Sequence, residues 1–499
     1  MRPLEILLSI VNALGLACRA SPRLRALRWP GVAACAALPI AVALSLIEGV
    51  RWQMAPSYAL GTSLFLAGLI SAVRPGAMHD NPLVARVGIG LGVLAATASL
   101  LLATVMPVFR FPQPTGPYAV GTTAYHWVDT GRPELFTDDP DDHRELMAQV
   151  WYPAEVVTSA VRAPYIQDAE AVTSAMARLF GFPSPVFSQL RQVTTNAVAS
   201  VPMEAGRTRF PVLLYLTGLN GFRAASTFQI EELVSHGYVV VGLDQPGAAA
   251  TTRFPDGRQI PGRPRGEIYP LISQSWIPRV EVPILAGTAL PDGIIPYFAQ
   301  DVSFALDRLA GLNDDDPHRI LTGRLELEHA GVFGISLGGA TAAEACAHDP
   351  RLEACLVMDV QLTAGVVKTG LRQPTMFITR DAATMRLERD RAGGWPESEI
   401  SGTLQTMTDV YARLPGDGYY VEIPGLFHVD FTDAPIWSPM MRRLGLNGTI
   451  DAQRAHDIIN AYTVAFFGKH LAGQSPPLLD GPSSRFPEAR YTHHGGTSR

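Results

Sequence analysis

Six residues, Gly334-Ile335-Ser336-Leu337-Gly338-Gly339, set a serine in the middle of a glycine-rich turn. An apolar run, 330–333, precedes them and a small-residue run, 340–346, follows. The pattern reads as strand, tight turn, helix, with the serine at the turn. Such a turn forces the serine backbone into a sparsely populated conformation. It leaves no room for side chains two positions to either side, which accounts for Gly334 and Gly338. The strain lifts the Ser336 hydroxyl clear of the strand ends. The first helical N–H groups, Leu337's foremost, then lie where an oxyanion would form. This is the chemistry of a nucleophile that attacks a carbonyl. The rival reading is an ordinary Gly-rich turn without chemistry, and the flanking strand and Ala-rich helix make it the weaker one.

A serine hydroxyl is a poor nucleophile until a base takes its proton, and a third group must hold the base. Of twelve histidines, only His428 follows the last predicted core strand, 419–423, on a Gly-led loop. His456 and His470 fall within or at the end of the final helix, where a packed or solvated imidazole is the default. His428 is therefore the expected base. Two carboxylates compete for the third place. Asp359 closes strand 354–359, whereas Asp381 follows strand 374–379 by two residues. Position alone favours Asp381 slightly, although its neighbour Arg380 offers a surface ion pair instead. Asp359 follows Leu356-Val357-Met358, where a lone carboxylate is costly to bury, and a histidine partner would account for it. A second oxyanion N–H is expected from Gly218-Leu219-Asn220-Gly221-Phe222-Arg223, whose two glycines let backbone approach a substrate.

These groups need elements to hold them. Residues 122–129 and 146–152 read as strands around the acidic turn 138–142. A continuous apolar strand, 211–217, leads through a helix (226–236) and a strand (238–244) into a Pro/Gly-rich excursion, 245–296. A helix around 297–310 returns the chain to the serine strand. Three more buried strands end near 359, 379 and 423, and the last helix covers 451–471. Apolar strands alternating with helices at this length make a mostly parallel sheet covered on both faces. With the order serine, acid, histidine, the fold class is the α/β-hydrolase. Residues 165–195 look partly helical and amphipathic, with apolar mass (Met176, Leu179, Phe180, Phe182) for the core or for a lipid-facing lip. Residues 473–499 are Pro/Gly/Ser-rich and read as a loose tail.

The first 107 residues differ in kind. Four apolar stretches, roughly 4–18, 29–47, 58–73 and 87–106, stand against the length needed to span a bilayer. The second and fourth are long enough; the first, carrying Glu5, reads as a span or an interfacial helix. No embedded charge pair marks transport, so anchoring is the reading. Three acids and eight arginines give this part +5, and the remainder carries −11. An acidic soluble part excludes nucleic acid as the expected partner. Arg19, Arg23, Arg25 and Arg28 crowd the first connection and Arg74 and Arg86 the third, against Arg51 alone in the second. The positive-inside rule then sends the last span, and the domain after it, out of the cytoplasm. The expected division is a three- or four-span region (1–107), a catalytic domain (108–472) and the tail (473–499). Cys346 and Cys355 read as buried thiols, with a bridge between them as the alternative.

Several motifs occur together. They are Gly116-Pro117-Tyr118 with Val120-Gly121, the 218–223 loop, the serine motif extended by Gly339 and Ala340, Asp359 23 residues beyond the serine, and His428 with Asp430-Phe431. In these, residues 116–471 resemble the secreted, lipoprotein-associated type of platelet-activating factor acetylhydrolase and its bacterial relatives. The resemblance implies Asp359 rather than Asp381 as the acid. It maps the oxyanion N–H groups onto Leu219 and Leu337. It implies a short sn-2 acyl ester of a phospholipid as substrate, with a general short-chain carboxylesterase or a transacylase as alternatives, and no metal or organic cofactor. A non-catalytic binding domain is the rival from another class, opposed by the complete set of triad candidates. Ile335 and Thr217 stand where the family usually has histidines, a departure that bears on substrate choice. The four-segment N-terminus is absent from secreted members.

Overall fold

In the computed structural model, residues 1–25, 29–73, 82–156 and 161–495 are described. The chain forms two units. One comprises Met1–Phe109 with Ser188–Val193 and Trp437–Met440, and the other holds the remaining residues from Arg110 onward.

The apolar runs of the second unit become strands β1 (Ala119–Pro133), β2 (His143–Ala154), β3 (Arg162–Pro164), β4 (Thr194–Ala199), β5 (Phe210–Leu216) and β6 (Val239–Asp244). Two small hairpins follow, β7 (Thr251–Arg253) with β8 (Gln259–Pro261) and β9 (Ile284–Leu285) with β10 (Thr288–Ala289). The remaining strands are β11 (Leu325–Ile335), β12 (Leu352–Met358), β13 (Thr375–Thr379), β14 (Gly418–Glu422) and β15 (Arg490–His494). Eleven of them form one sheet in the order β15-β14-β13-β12-β11-β5-β6-β2-β1-β4-β3. From β14 to β6 all neighbours are parallel, which explains why β5 and β6 are fully buried and apolar but for the terminal Asp244. Helix Thr227–Ser235 packs with Ala452–Ala472, and Ile295–Asp314 packs with the helix after the serine, Leu337–His348. This is the α/β-hydrolase fold, with β11, β12 and β14 delivering the three candidate side chains.

Two local readings change, and the reading of the two cysteines as thiols holds. The C-terminal stretch is not loose: β15 adds an antiparallel edge strand to β14, and Phe486, Ala489 and Tyr491 are buried. Alternation of side chains in Arg490–His494 was too short to stand out among prolines. Residues 165–195 hold one helix, Ala169–Leu179, a short turn of 3-10 helix and strand β4, because Gly181 at φ +72° closes the helix, its Phe182 N–H donating back to the Ala177 carbonyl. Cys346 and Cys355 are free, buried thiols rather than a bridge.

In the first unit, helices Pro3–Ala20, Trp29–Ile47, Ala55–Val73 and Pro82–Val105 pack as a bundle. Among the described residues three helices are long and apolar enough to cross a membrane. Charged side chains pair at one end of the bundle. Glu5, fully buried, accepts from Arg51 Nη1 at 2.8 Å, while Arg2 reaches both Glu5 and Glu48. Arg51 also donates to the Met106 carbonyl. Residues distant in sequence thus satisfy one another where neither would be paid for singly. Arg28 and Arg74 lie outside the described residues.

Candidate active site

Ser336 occupies the left-handed region at φ +58°, between the end of β11 and its helix. The flanking glycines are required by contact. A Cβ on Gly334 would lie 2.3 Å from the Gly338 carbonyl oxygen, and one on Gly338 would lie 2.1 Å from that of Leu216. Gly339 sits beside β12, where a Cβ would come 3.0 Å from the Gly334 oxygen. The Ser336 N–H donates to the Met358 carbonyl at 3.0 Å, tying the turn to the strand that Asp359 follows.

Asp359 follows β12 and also takes a positive φ, +46°. That backbone turns its carboxylate toward the loop after β14. There Oδ2 accepts from His428 Nδ1 at 2.6 Å, and Oδ1 accepts from Thr379 Oγ1 at 3.2 Å. With Nδ1–H committed to the carboxylate, Nε2 is the nitrogen left to act as base. Burial by itself would raise the Asp359 carboxyl. The Arg380 charge and the His428 hydrogen bond outweigh it and hold the group below its ordinary value.

The loop that delivers His428 is pinned at several points. Gly425 takes φ +89° and donates to Thr384 Oγ1 at 2.9 Å. Asp430 Oδ2 accepts from the N–H groups of Phe427 (2.6 Å) and Gly448 (2.8 Å), bracketing the short 3-10 turn that begins at His428. Burial pushes the Asp430 carboxyl up to about 6. His456 is buried, donates to the Thr432 carbonyl at 3.0 Å and stacks on Phe228. His470 meets the Tyr419 hydroxyl. Both are packed groups.

The loop after β5 lies against the serine: a Cβ on Gly218 would come 3.2 Å from Ser336 Cβ. Its form is fixed by Asn220 N–H donating to the Ala248 carbonyl (2.7 Å) and Gly221 N–H to that of Gly218 (3.0 Å). Leu219 belongs to this loop, and Leu337 opens the helix after the serine, its N–H in the first turn lacking an intrahelical acceptor. Arg223 holds the far end through Asp244 and Gln167.

Ser336, Asp359 and His428 line one cavity of about 50 Å³, together with Val360, Gln361 and Trp395. Asp381 is elsewhere, capping helix Ala382–Ala392 by accepting from Thr384 N–H at 2.9 Å. Arg380 does not pair with it; its guanidinium turns inward to Asp359 Oδ2 at 2.8 Å. Sequence reasoning missed this arginine, and also Glu388 and the two tryptophans of the cavity wall, Trp395 and Trp276. Trp276 ends helix Arg265–Trp276 of the Pro/Gly-rich excursion, so that segment does reach the site. Its helix is latched by Tyr269, which donates to Glu399. A polar residue after an apolar strand was the single signal for Arg380.

Residues 103–476 match the family model described as platelet-activating factor acetylhydrolase, isoform II. The chain belongs to this family. A platelet-activating factor acetylhydrolase of Cavia porcellus is 22% identical over 429 residues, covering 83% of this chain and 89% of the relative. A probable 1-alkyl-2-acetylglycerophosphocholine esterase of Arthroderma benhamiae is 23% identical over 431 residues, covering 81% and 98%. Among solved structures, a ferulic acid esterase from Streptomyces cinnamoneus is 27% identical at a TM-score of 0.58, covering 77% of this chain and 99% of that one. This member of the family is a carboxylic ester hydrolase on an α/β-hydrolase fold.

Proposed function

We propose that Ser336, His428 and Asp359 hydrolyse short acyl esters, among them sn-2 acetyl esters of phospholipids, through an acyl-enzyme. The observation that carries this reading is the 2.6 Å bond from His428 Nδ1 to Asp359 on the wall of the cavity that Ser336 lines. Ser336 Oγ attacks the ester carbonyl as His428 Nε2 takes its proton. N–H groups of Leu219 and Leu337 hold the tetrahedral oxyanion, each such donor contributing about 10²–10³ in rate. Collapse of the intermediate expels the alcohol, which receives the proton from His428. Water, deprotonated by the same imidazole, then attacks the acyl-enzyme and releases the carboxylic acid. The cavity beside Ser336 is small, about 50 Å³, which favours a short acyl group.

The domain division supports the same picture: a membrane region over residues 1–107 and a hydrolase domain from 108 onward. Arg2, Glu5, Glu48, Arg51 and Met106 gather at one end of the bundle. Arg19, Arg23 and Arg86 belong to the opposite helix ends. Under the positive-inside rule the arginine end is cytoplasmic, and the last helix leads the hydrolase domain outside.

A fluorophosphonate probe should label the wild-type chain and not Ser336→Ala. In a panel of p-nitrophenyl esters, kcat/KM should fall at least tenfold from acetate to octanoate. Absence of wild-type labelling would favour a non-catalytic domain. A flat acyl profile would remove the short-chain reading, and product diverted to an added alcohol would indicate a transacylase.

A further inference from the structure

We propose that Arg380 is a positioning residue for the hydrolysis: a buried guanidinium that shares the Asp359 carboxylate with His428 and sets the pH range over which the imidazole serves as base. The proposal rests on the Ser336–His428–Asp359 reading and deepens it.

Four contacts close a ring around the base. Arg380 Nε donates to Asp359 Oδ2 at 2.8 Å, the same oxygen that accepts from His428 Nδ1 at 2.6 Å. Arg380 Nη1 donates to Glu388. Glu388 in turn accepts from the His428 backbone N–H at 3.2 Å. The guanidinium therefore fixes the acid directly and the base loop through Glu388. Trp395 closes the arrangement from the cavity side. Its ring lies 4.4 Å from the Arg380 guanidinium carbon and meets the His428 ring edge-on at 4.8 Å. The Arg380 side chain is 1% exposed, so its charge acts unscreened by solvent.

A cation bonded to the triad acid competes with the imidazolium for the same negative charge. It therefore favours the neutral imidazole and extends activity toward acid. The other charged or titratable groups facing this cluster are Glu388, Asp430, which faces Arg380, Glu399 on the cavity wall, and Tyr420 of β14 beside Asp359. Without Arg380 the remaining carboxylates would draw a proton into the site at higher pH, whichever group binds it. A surface ion pair would do none of this.

The test is kcat/KM for p-nitrophenyl acetate from pH 4.5 to 9 on the full chain in detergent. Arg380→Gln should move the acid limb up by about one pH unit. Arg380→Lys, which keeps the charge, should hold the limb within about 0.3 unit of wild type while losing the fork geometry. Glu388→Gln should move the limb the opposite way, and it carries the test should Arg380→Gln fail to fold. Arg386→Gln, which removes an exposed pair with Glu397, is the unchanged control. An Arg380→Gln limb that coincides with wild type, with activity lowered equally at every pH, overturns the proposal; so does a Glu388→Gln limb that stays or rises. Ser336→Ala is assayed alongside: if it keeps turnover the triad reading fails, and if it is silent while the limbs stay fixed only the Arg380 role fails.

Discussion

At the scale of single residues, the choice between two aspartates rests on which can reach the imidazole. Asp359 does so because its backbone takes φ +46°, a conformation costing about 1 kcal/mol or more that the surrounding strands must offset. Asp381 is already spent on the N-terminus of a helix. Asp359→Asn should therefore lower kcat by about 10³–10⁴, since the amide no longer orients the base or balances its charge. Asp381→Asn should cost only a fraction of a cap, about 1 kcal/mol of stability, with kcat within twofold of wild type. Steady-state kinetics on the two purified variants decide between them, and the reverse ranking would reassign the acid. The burial of Asp359 also explains why it cannot stand unpaired: with both His428 and Arg380 removed it would be an isolated charge in the interior.

At the scale of elements, the helix Thr227–Ser235 is held by carboxylates from distant parts of the chain. Asp433 accepts from the N–H groups of Thr227 (2.8 Å) and Phe228 (3.0 Å) and from the Tyr165 hydroxyl (2.9 Å). Within the helix, Glu231 accepts from the N–H groups of Asn196 and Ala197 in β4. Burial pushes Glu231 up to about 7 and Asp433 up to about 8. A carboxyl raised in the folded state binds more protons there than in the unfolded chain between its ordinary value and its folded one. Stability conferred by the protonated forms is therefore full below about pH 4 and declines as pH rises through about 7 to 8. The thermal midpoint should fall between pH 6 and pH 9, and Asp433→Asn should flatten that decline. Parallel slopes for the two proteins would show that Asp433 does not titrate there.

At the scale of the whole molecule, a helical region and a hydrolase domain share one chain, and the helices expose Leu46, Ile47, Leu83, Val84, Leu91 and Leu94. Outward-facing aliphatic side chains of this size suit lipid and not water. The buried Glu5–Arg51 pair fixes which helix ends lie together, a registry role for which such pairs are best attested. The orientation proposed above makes a direct prediction. In intact cells, a membrane-impermeant maleimide should modify Lys368→Cys, on an exposed position of the hydrolase domain, in a background lacking the native cysteines. Arg23→Cys should react only after permeabilisation. The opposite pattern would place the hydrolase domain in the cytoplasm.

Elements dictated by local chemistry were legible from the order of residues alone. The glycines around Ser336, the mostly apolar parallel strands and the arginine asymmetry of the first 107 residues each obey a short-range rule, and each is readable without coordinates. His428 was legible because it follows the last core strand on a glycine-led loop. The choice of Asp359 needed the family resemblance, since strand ends alone favoured Asp381. Tertiary structure decided what depends on direction. Arg380 and Asp381 are adjacent in the chain, yet one side chain turns inward to Asp359 and the other caps a helix. Trp276 and Trp395 arrive at the cavity from two distant segments, and Glu388 bears on it through Arg380. No spacing rule relates them, because their meeting is set by how helices and strands pack and not by their separation along the chain.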